Sequence, residues 1–304
     1  VHEILSNWLF FALLAPFLWA IANFIEKYSL GKYAKDAHEF VFFSSLASWA
    51  LFVILVITFG LPQISALWLA PITLGVIFVA AYWFYGKALR VTETSQLIIS
   101  FKLIPVLTLF FAYLLFGQKI SVFDTLAFII VLVGTLFVSV KKTEGAFRIT
   151  QGTKWIAGAI LIWGLMFVGV DWALTKMTFW HYLTLEVFGN CIAGTSLLLL
   201  PQIRNELIDS LKSATGGKYF WYGLIKVIDF LGQILIKRAF VLGPSAGLVT
   251  VVMQVQSVYC VVIGVSLTIW LPHIIEEDIS KENIANKVFG IAVALIGICL
   301  LFLK

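Results

Sequence analysis

Lys218–Phe240 reads KYFWYGLIKVIDFLGQILIKRAF. The stretch is long and apolar enough for a helix to cross a bilayer, which takes about 20 residues, yet it carries charge at its centre. Lys226 and Asp229 are three residues apart, and Gln233 lies four beyond Asp229. On a helix those spacings bring all three side chains to one face. Asp229 comes about eleven residues into the stretch, roughly 16 Å at about 1.5 Å per residue, close to the middle of a hydrocarbon layer about 30 Å thick. A lone charge at that depth costs about 2.5–3.5 kcal/mol on insertion scales, so it is carried where it is paired or faces a wet cavity. Two readings follow. A Lys226–Asp229 pair locks helices together, or the polar face lines a translocation path.

The rest of the chain fits a membrane setting. Of its 304 residues 61% are hydrophobic and only 12% charged, against about 25% charged in ordinary soluble domains; the mean hydropathy is +1.01. Continuous Leu, Val, Ile and Phe runs predict helices and not the alternation of a barrel. The formal charge of +5 is spread over connections without a long basic run, which gives no nucleic-acid signature. Cys191, Cys260 and Cys299 fall inside apolar runs and read as small core residues, not a disulfide framework. Trp8 opens an apolar stretch too long for a signal-peptide core, and reads as the start of a first span.

Working outward from span eight, the sequence predicts an all-α membrane protein with ten transmembrane helices. They cover roughly 8–30, 38–60, 66–89, 93–116, 121–140, 154–176, 179–200, 218–240, 244–270 and 284–303. Trp8, Trp68, Trp155, Trp180, Trp221 and Trp270 stand near the expected ends, as interfacial aromatics do. Between spans seven and eight, Pro201 to Gly217 is amphipathic and reads as a short surface helix.

The chain also repeats. Leu13–Ala20 (LLAPFLWA) matches Ala157–Gly164 (AGAILIWG) at an offset of 144 residues. Ala88-Leu89 closes span three as Ala239-Phe240 closes span eight. Phe128–Leu136 (FIIVLVGTL) matches Ile291–Cys299 (IAVALIGIC) at an offset of 163. This predicts two five-helix units, 1–148 and 149–304, joined near Lys141–Lys154. Five is odd, so the second unit enters the membrane from the opposite side. That gives the inverted pseudo-two-fold of many secondary transporters, whose sites lie near the midplane between repeats.

These features resemble the drug/metabolite transporter superfamily, in particular its EamA-type members. The residues that carry the likeness are the Trp19-Ala20 and Trp163-Gly164 starts, Ala88-Leu89, Ser95 ten residues before Pro105, Phe116-Gly117-Gln118-Lys119-Ile120, and the Gly134 span. Two positions depart from the pattern: Gln118 stands where the family usually has Glu, and Gln256 where repeat one has Pro105. The resemblance implies a central cavity lined by spans one, three, four, six, eight and nine. It leaves span seven, with Glu186, outside the lining. It puts spans five and ten at the periphery at a homodimer contact, and implies export of amino acids, nucleobase-like compounds, drugs and other small metabolites.

The expected substrate site draws on Lys226, Asp229, Gln233, Lys102, Gln254, Ser257, Trp19, Asn23, Tyr82 and Trp163, with Pro105 as a gate. Lys102 lies within span four: it either binds an anionic group or snorkels to the interface. Pro105 leaves a carbonyl without its helical partner, bending a gate or shaping packing. Thr250, Gln254 and Ser257 form one stripe at i, i+4 and i+7, either lining a cavity or gluing helices. The aromatics, Trp83 and Tyr259 among them, suit a flat or cationic ligand, although most aromatics in so apolar a chain simply pack. Glu26 and Asp171 are expected near span ends, paired with Lys27 and Lys176.

The function read from these features is a secondary transporter, an exporter or exchanger of small polar or amphipathic metabolites such as amino acids or aromatic compounds, working by alternating access. Its partners are a small-molecule substrate, the lipid bilayer and protons as coupling ion, with no nucleic acid, no cofactor and no metal. The expected location is the plasma (inner) membrane of a prokaryote. The alternative is a polytopic membrane enzyme acting on a lipid-linked substrate. Against it, His2, His38, His181 and His273 form no metal-spaced pair, and neither G-x-S-x-G nor a Walker A loop is present. Without an ATP-binding loop, transport is passive or driven by an ion gradient. Orientation divides two arguments. Connections on one side hold 14 Lys and Arg and those on the other 5, so the positive-inside rule puts both termini outside the cytoplasm, whereas EamA-type relatives imply both inside.

Overall fold

The computed structural model describes residues 7–33, 36–91, 101–119, 121–139, 151–270 and 281–302. Ser95 with the start of the expected fourth span, most of the expected Lys141–Lys154 junction, Pro272 and His273 lie outside the described residues.

The first part of the chain forms α1 (Trp8–Tyr33), α2 (Ala37–Phe59), α3 (Leu69–Val91), α4 (Ile104–Phe116) and α5 (Val122–Ser139). The second forms α6 (Gln151–Leu174), α7 (Phe179–Thr195), α8 (Pro201–Lys212), α9 (Gly216–Leu242), α10 (Ala246–Met253), α11 (Gln256–Trp270) and α12 (Lys281–Phe302). Among the described residues there is no strand. Six segments are long and apolar enough to cross a membrane: Trp8–Glu26, Ala37–Phe59, Ala66–Ala88, Lys154–Leu174, Phe179–Leu199 and Ala246–Trp270. Shorter apolar stretches are Ile104–Phe116, Thr125–Gly134 and Val288–Leu300. α9 has the length, 27 residues, but carries Lys218, Lys226, Asp229, Lys237 and Arg238.

Local chemistry sets the helix ends. Asp36 caps α2 by accepting from the Glu39 amide at 2.8 Å, Thr215 caps α9 through the Lys218 amide, and Ser245 caps α10 through the Leu248 amide; each side chain satisfies a donor that the first turn leaves open. Gly117 ends α4 with φ +62°, a left-handed conformation that favours glycine. The amphipathic Pro201–Gly217 stretch forms α8, which buries Leu207 and Ser210 and leaves its other face open. Outward-facing residues such as Ile57, Leu114, Ile129 and Ile296 are exposed, as a surface solvated by lipid requires.

The helices pack in pairs: α1 on α9, α3 on α6, α2 on α7, α3 on α7, α2 on α9, α4 on α6, α1 on α11, α4 on α10, and α5 on α12. Small residues permit backbone contact, as membrane helix interfaces favour. A Cβ on Gly75 of α3 would stand 2.1 Å from the Glu186 carbonyl, and one on Gly189 of α7 would stand 2.2 Å from that of Ile72. At the α5/α12 crossing, a Cβ on Gly134 would stand 2.3 Å from the Ala294 nitrogen, and one on Gly297 would stand 2.8 Å from the Val131 nitrogen. Residue numbers rise on one helix as they fall on the other, so α5 and α12 run antiparallel.

Two helices expected to be continuous are broken. Lys102 and Leu103 form a turn between Phe101 and α4, with Pro105 in the first turn beyond it. Gln254 and Val255 form a turn between α10 and α11. The expected Thr250–Gln254–Ser257 stripe therefore does not run along one regular helix. Local bonds there tighten to i→i+3, with the Ser257 amide donating to the Gln254 carbonyl at 3.2 Å and the Val258 amide to Val255 at 2.8 Å.

Candidate functional site

Along α9, Lys226, Asp229, Gln233 and Lys237 follow at intervals of three, four and four residues, so one face of the helix carries them all. The Lys226 ammonium stands 3.6 Å from an Asp229 carboxylate oxygen, and the Gln233 amide donates to the other at 3.4 Å. Lys237 donates to the Gln233 side-chain oxygen and pairs with Glu186 of α7 at 3.0 Å. The Tyr182 hydroxyl donates to Glu186 at 3.0 Å. One polar ladder thus runs from Lys226 to Tyr182, with Lys226, Asp229, Lys237, Glu186 and Tyr182 all buried. Glu186 stands among the central residues, contrary to the expectation that span seven stays outside the lining. Its partner Lys237 lies inside α9, not in a connection.

At the other end of α9, Lys218 pairs with Glu39 of α2 and donates to Ser210 of α8 at 2.9 Å. Its ammonium lies 4.1 Å from the centre of the Phe43 ring, within cation–π range. Ser210 also donates to Glu39. This cluster fastens α8 to α2 and α9. The 19 steps from Lys218 to Lys237 span about 28 Å at about 1.5 Å per residue, nearly the thickness of a hydrocarbon layer. Lys226 lies between these two anchored ends.

Two small cavities meet at Lys226, each with room for about one water molecule. The first is bordered by Glu186, Asn190, Lys226, Asp229 and Gln233, with Phe78, Val187 and Phe230 as apolar wall. The second is bordered by Ser44, Ser45 and Ser48 of α2, with Tyr82, Asn190 and Lys226. The first therefore lies between α3, α7 and α9 and the second between α2, α3, α7 and α9, whereas the resemblance implied spans one, three, four, six, eight and nine.

The other expected residues divide into groups. Lys102 does not snorkel: it is buried and donates to the Gln254 carbonyl at 3.2 Å and the Ser257 hydroxyl at 2.9 Å. It thereby joins the break before α4 to the break between α10 and α11. Ser257 donates to the same carbonyl at 2.9 Å. Tyr82 meets the Trp163 ring edge-on, with centres 6.1 Å apart. The Trp19 indole nitrogen is buried without a hydrogen-bond partner among the described residues, against the α9 backbone at Gly232. The Asn23 amide points to the Cys260 sulfur at 3.9 Å, and the Tyr259 ring meets Phe17 edge-on.

Two acidic residues differ from expectation. Glu26 is buried, 5% exposed, and within electrostatic reach of Asp229 and Lys226. α1 continues past it to Tyr33, so Glu26 is not at the helix end; the side chain of Lys27 lies outside the described residues. Asp171 accepts from the Gln118 amide at 3.0 Å, while Lys176 is exposed. Gln118, standing where the family pattern has Glu, thus ties the end of α4 to α6. The arrangement offers a ligand one ammonium, several carboxylates, hydroxyls and amides beside aromatic walls. Among the described residues no three His, Cys, Asp or Glu gather as metal ligands.

No curated protein matches the chain. A solved structure described only as "Crystal structure of protein" is similar, with a TM-score of 0.67 at 16% identity, covering 98% of this chain and 96% of its own; at that identity the likeness concerns the fold. Residues 6–140 match the model of the EamA-like transporter family, a family of membrane transporters and not of enzymes, and the match is consistent with a member of the drug/metabolite transporter superfamily.

Proposed function

We propose that the chain is a secondary transporter of small polar or amphipathic metabolites, amino acids or aromatic compounds among them, working by alternating access. The observation that carries this reading is the Lys226–Asp229 pair. It is buried at mid-depth in α9, its charges are 3.6 Å apart, and it opens on two cavities. A pair that only held helices together would gain by closer contact and by excluding space around it.

The proposed architecture is ten transmembrane helices in two inverted repeats, 1–148 and 149–304. They are α1 to α7, α9, the broken α10/α11 and α12. Three observations support it. The principal packing pairs map onto one another when the halves are exchanged: α1 on α9 with α6 on α3, α3 on α7 with α9 on α2, and α4 on α6 with α11 on α1. The contacts of α5 and α12 are reciprocal. Gly134 meets Ala294 and Val131 meets Gly297, and the 163-residue offset turns one pair into the other, as a two-fold axis does. Finally, the fourth and ninth expected spans each contain a turn, at Lys102–Leu103 and Gln254–Val255. Matched interruptions in the two halves are a pointer to a transporter site.

In this scheme the Glu186–Lys237 and Glu39–Lys218 pairs hold the two ends of α9, and α5 and α12 form the periphery and a homodimer contact. The membrane is a prokaryotic plasma membrane, and a proton taken up by Asp229 couples export or exchange. Purified chain in proteoliposomes, offered radiolabelled amino acids, nucleobases and a sugar phosphate, tests the reading. Flux of an amino acid or nucleobase without chemical change supports it. Flux of the sugar phosphate alone overturns the substrate class, and a chemically altered product overturns transport in favour of an enzyme.

A further inference from the structure

The two cavities at Lys226 differ in the chemistry they present. The one against α2 has three serines, and its single charge is the Lys226 ammonium. Ser45 and Ser48 are buried; the Ser48 hydroxyl donates to the Ser44 carbonyl at 3.1 Å and keeps its lone pairs. The cavity against α7 is rich in acceptors, with Asp229, Glu186, the Gln233 amide and Asn190 around it. Lys226, Asn190 and Phe78 border both.

Several of these groups are short of partners. The ammonium of Lys226 has three donors, and its closest acidic neighbour, at 3.6 Å, is beyond hydrogen-bond distance. The side-chain oxygen of Asn190 is buried with no hydrogen-bond partner among the described residues, and the residue is 8% exposed. Among the described residues Asp229 has two long polar contacts, at 3.4 and 3.6 Å. Glu186, by contrast, is held by Lys237 and Tyr182 at 3.0 Å each. Buried groups left short in this way favour a ligand that supplies what they lack.

Resting on the transport reading above, we propose that Ser45 and Ser48 of α2 and Asn190 of α7 form two half-sites, split by Lys226, for the opposite ends of a zwitterion. The ligand's carboxylate enters the α2 side and accepts from Lys226, from the Ser45 hydroxyl, and from the Ser48 hydroxyl once that turns away from the Ser44 carbonyl. Its ammonium enters the α7 side and donates to the Asn190 oxygen and to Asp229. A zwitterion placed between Lys226 and Asp229 gives each a closer partner and leaves the net charge of the site unchanged. An ion with one charge leaves one of the two without compensation. The side chain of the ligand then lies along Phe78, Val79 and Tyr82. This assigns specificity to α2 and α7.

The test uses the full chain in proteoliposomes. The twenty proteinogenic amino acids are offered first. The best-carried one is then compared, as a competitor of its own flux, with its decarboxylated amine and its deaminated acid. Each single-ended analogue is expected to compete at least about tenfold more weakly, because a site built for a group rejects the analogue that lacks it. The Ser45→Ala/Ser48→Ala protein should lose affinity for the amino acid and the acid while keeping that for the amine. Asn190→Leu should lose affinity for the amino acid and the amine while keeping that for the acid. Equal competition by all three compounds in the wild type, which needs no variant to fold, overturns the inference. So do variants that weaken all three alike. Robust flux of a nucleobase with no amino acid carried leaves the transport reading standing and overturns this one. No flux of any compound overturns both.

Discussion

Asp229→Asn separates a working charge from a structural one. The change keeps the side-chain shape and removes one partner of a buried pair. Taken alone, Coulomb's law for unit charges 3.6 Å apart gives about 4–5 kcal/mol at an effective dielectric of about 20. Removing one partner of a closed buried pair costs about 3–5 kcal/mol, because the other charge stays behind. Two observations reduce that figure here. Lys226 borders two cavities that admit water, and an asparagine oxygen at position 229 still accepts. The expected loss is therefore about 1–2 kcal/mol, at the level of one buried hydrogen bond. Thermal unfolding in detergent should show a modest shift, while flux in proteoliposomes, or its dependence on pH, is lost. A loss of 3–5 kcal/mol that Lys226→Met restores would refute the reasoning and make the pair a lock. Normal flux and pH dependence in a well-folded Asp229→Asn protein would remove Asp229 from the mechanism.

Glu186→Gln should destabilise more than Asp229→Asn, by about 3 kcal/mol, because Lys237 is 2% exposed and loses its one charged partner among the described residues; adding Lys237→Met should restore much of the loss in a double-variant cycle of unfolding temperatures. Gly134→Leu and Gly297→Leu should each lower the yield of folded protein, since even a Cβ there meets the facing helix, whereas Gly223→Ala, with nothing within 4 Å, should leave it unchanged in the same size-exclusion assay. Reporter fusions at Lys304 should be active only on the cytoplasmic side, following the EamA resemblance; activity from outside would favour the charge count.

What the sequence makes legible is what a helix decides locally. The intervals between Lys226, Asp229 and Gln233 suffice to put them on one face, and the amphipathic run after Pro201 suffices for a surface helix. The rest depends on partners far along the chain. Nothing near Gln254 breaks a helix by propensity: the flanking VVMQVQSV lacks glycine and proline. Its carbonyl is met by Lys102, 152 residues earlier. Glu186 and Lys237 went unmatched because Lys237, near the end of the expected span 218–240, was counted with the charges of the adjoining connection. A signal was available: two opposite charges inside apolar helices each need a partner, and each supplies what the other lacks. Glu26 was read as interfacial for the same reason, because the expected first span stopped at residue 30 while α1 runs on to Tyr33.

The three lysines of the α9 face differ in a way that bears on mechanism. Lys218 and Lys237 each have a carboxylate from another helix and a second polar partner. Each is therefore a tertiary fastening, and moving α9 away from α2 or α7 would strand a charge at either end. Lys226 has its carboxylate on its own helix, one turn away, so separating that pair requires no helix to move. Exchanging partners at the centre of α9 therefore breaks no ion pair between helices, while the ends are held by contacts that change only if whole helices shift. That division supports the proposed alternating access: local exchange at mid-helix, and at the two ends ion pairs between helices. It also explains why the central pair is the loose one. A tight contact there would compete with the ligand for the same charges, whereas a tight contact at the ends competes only with water.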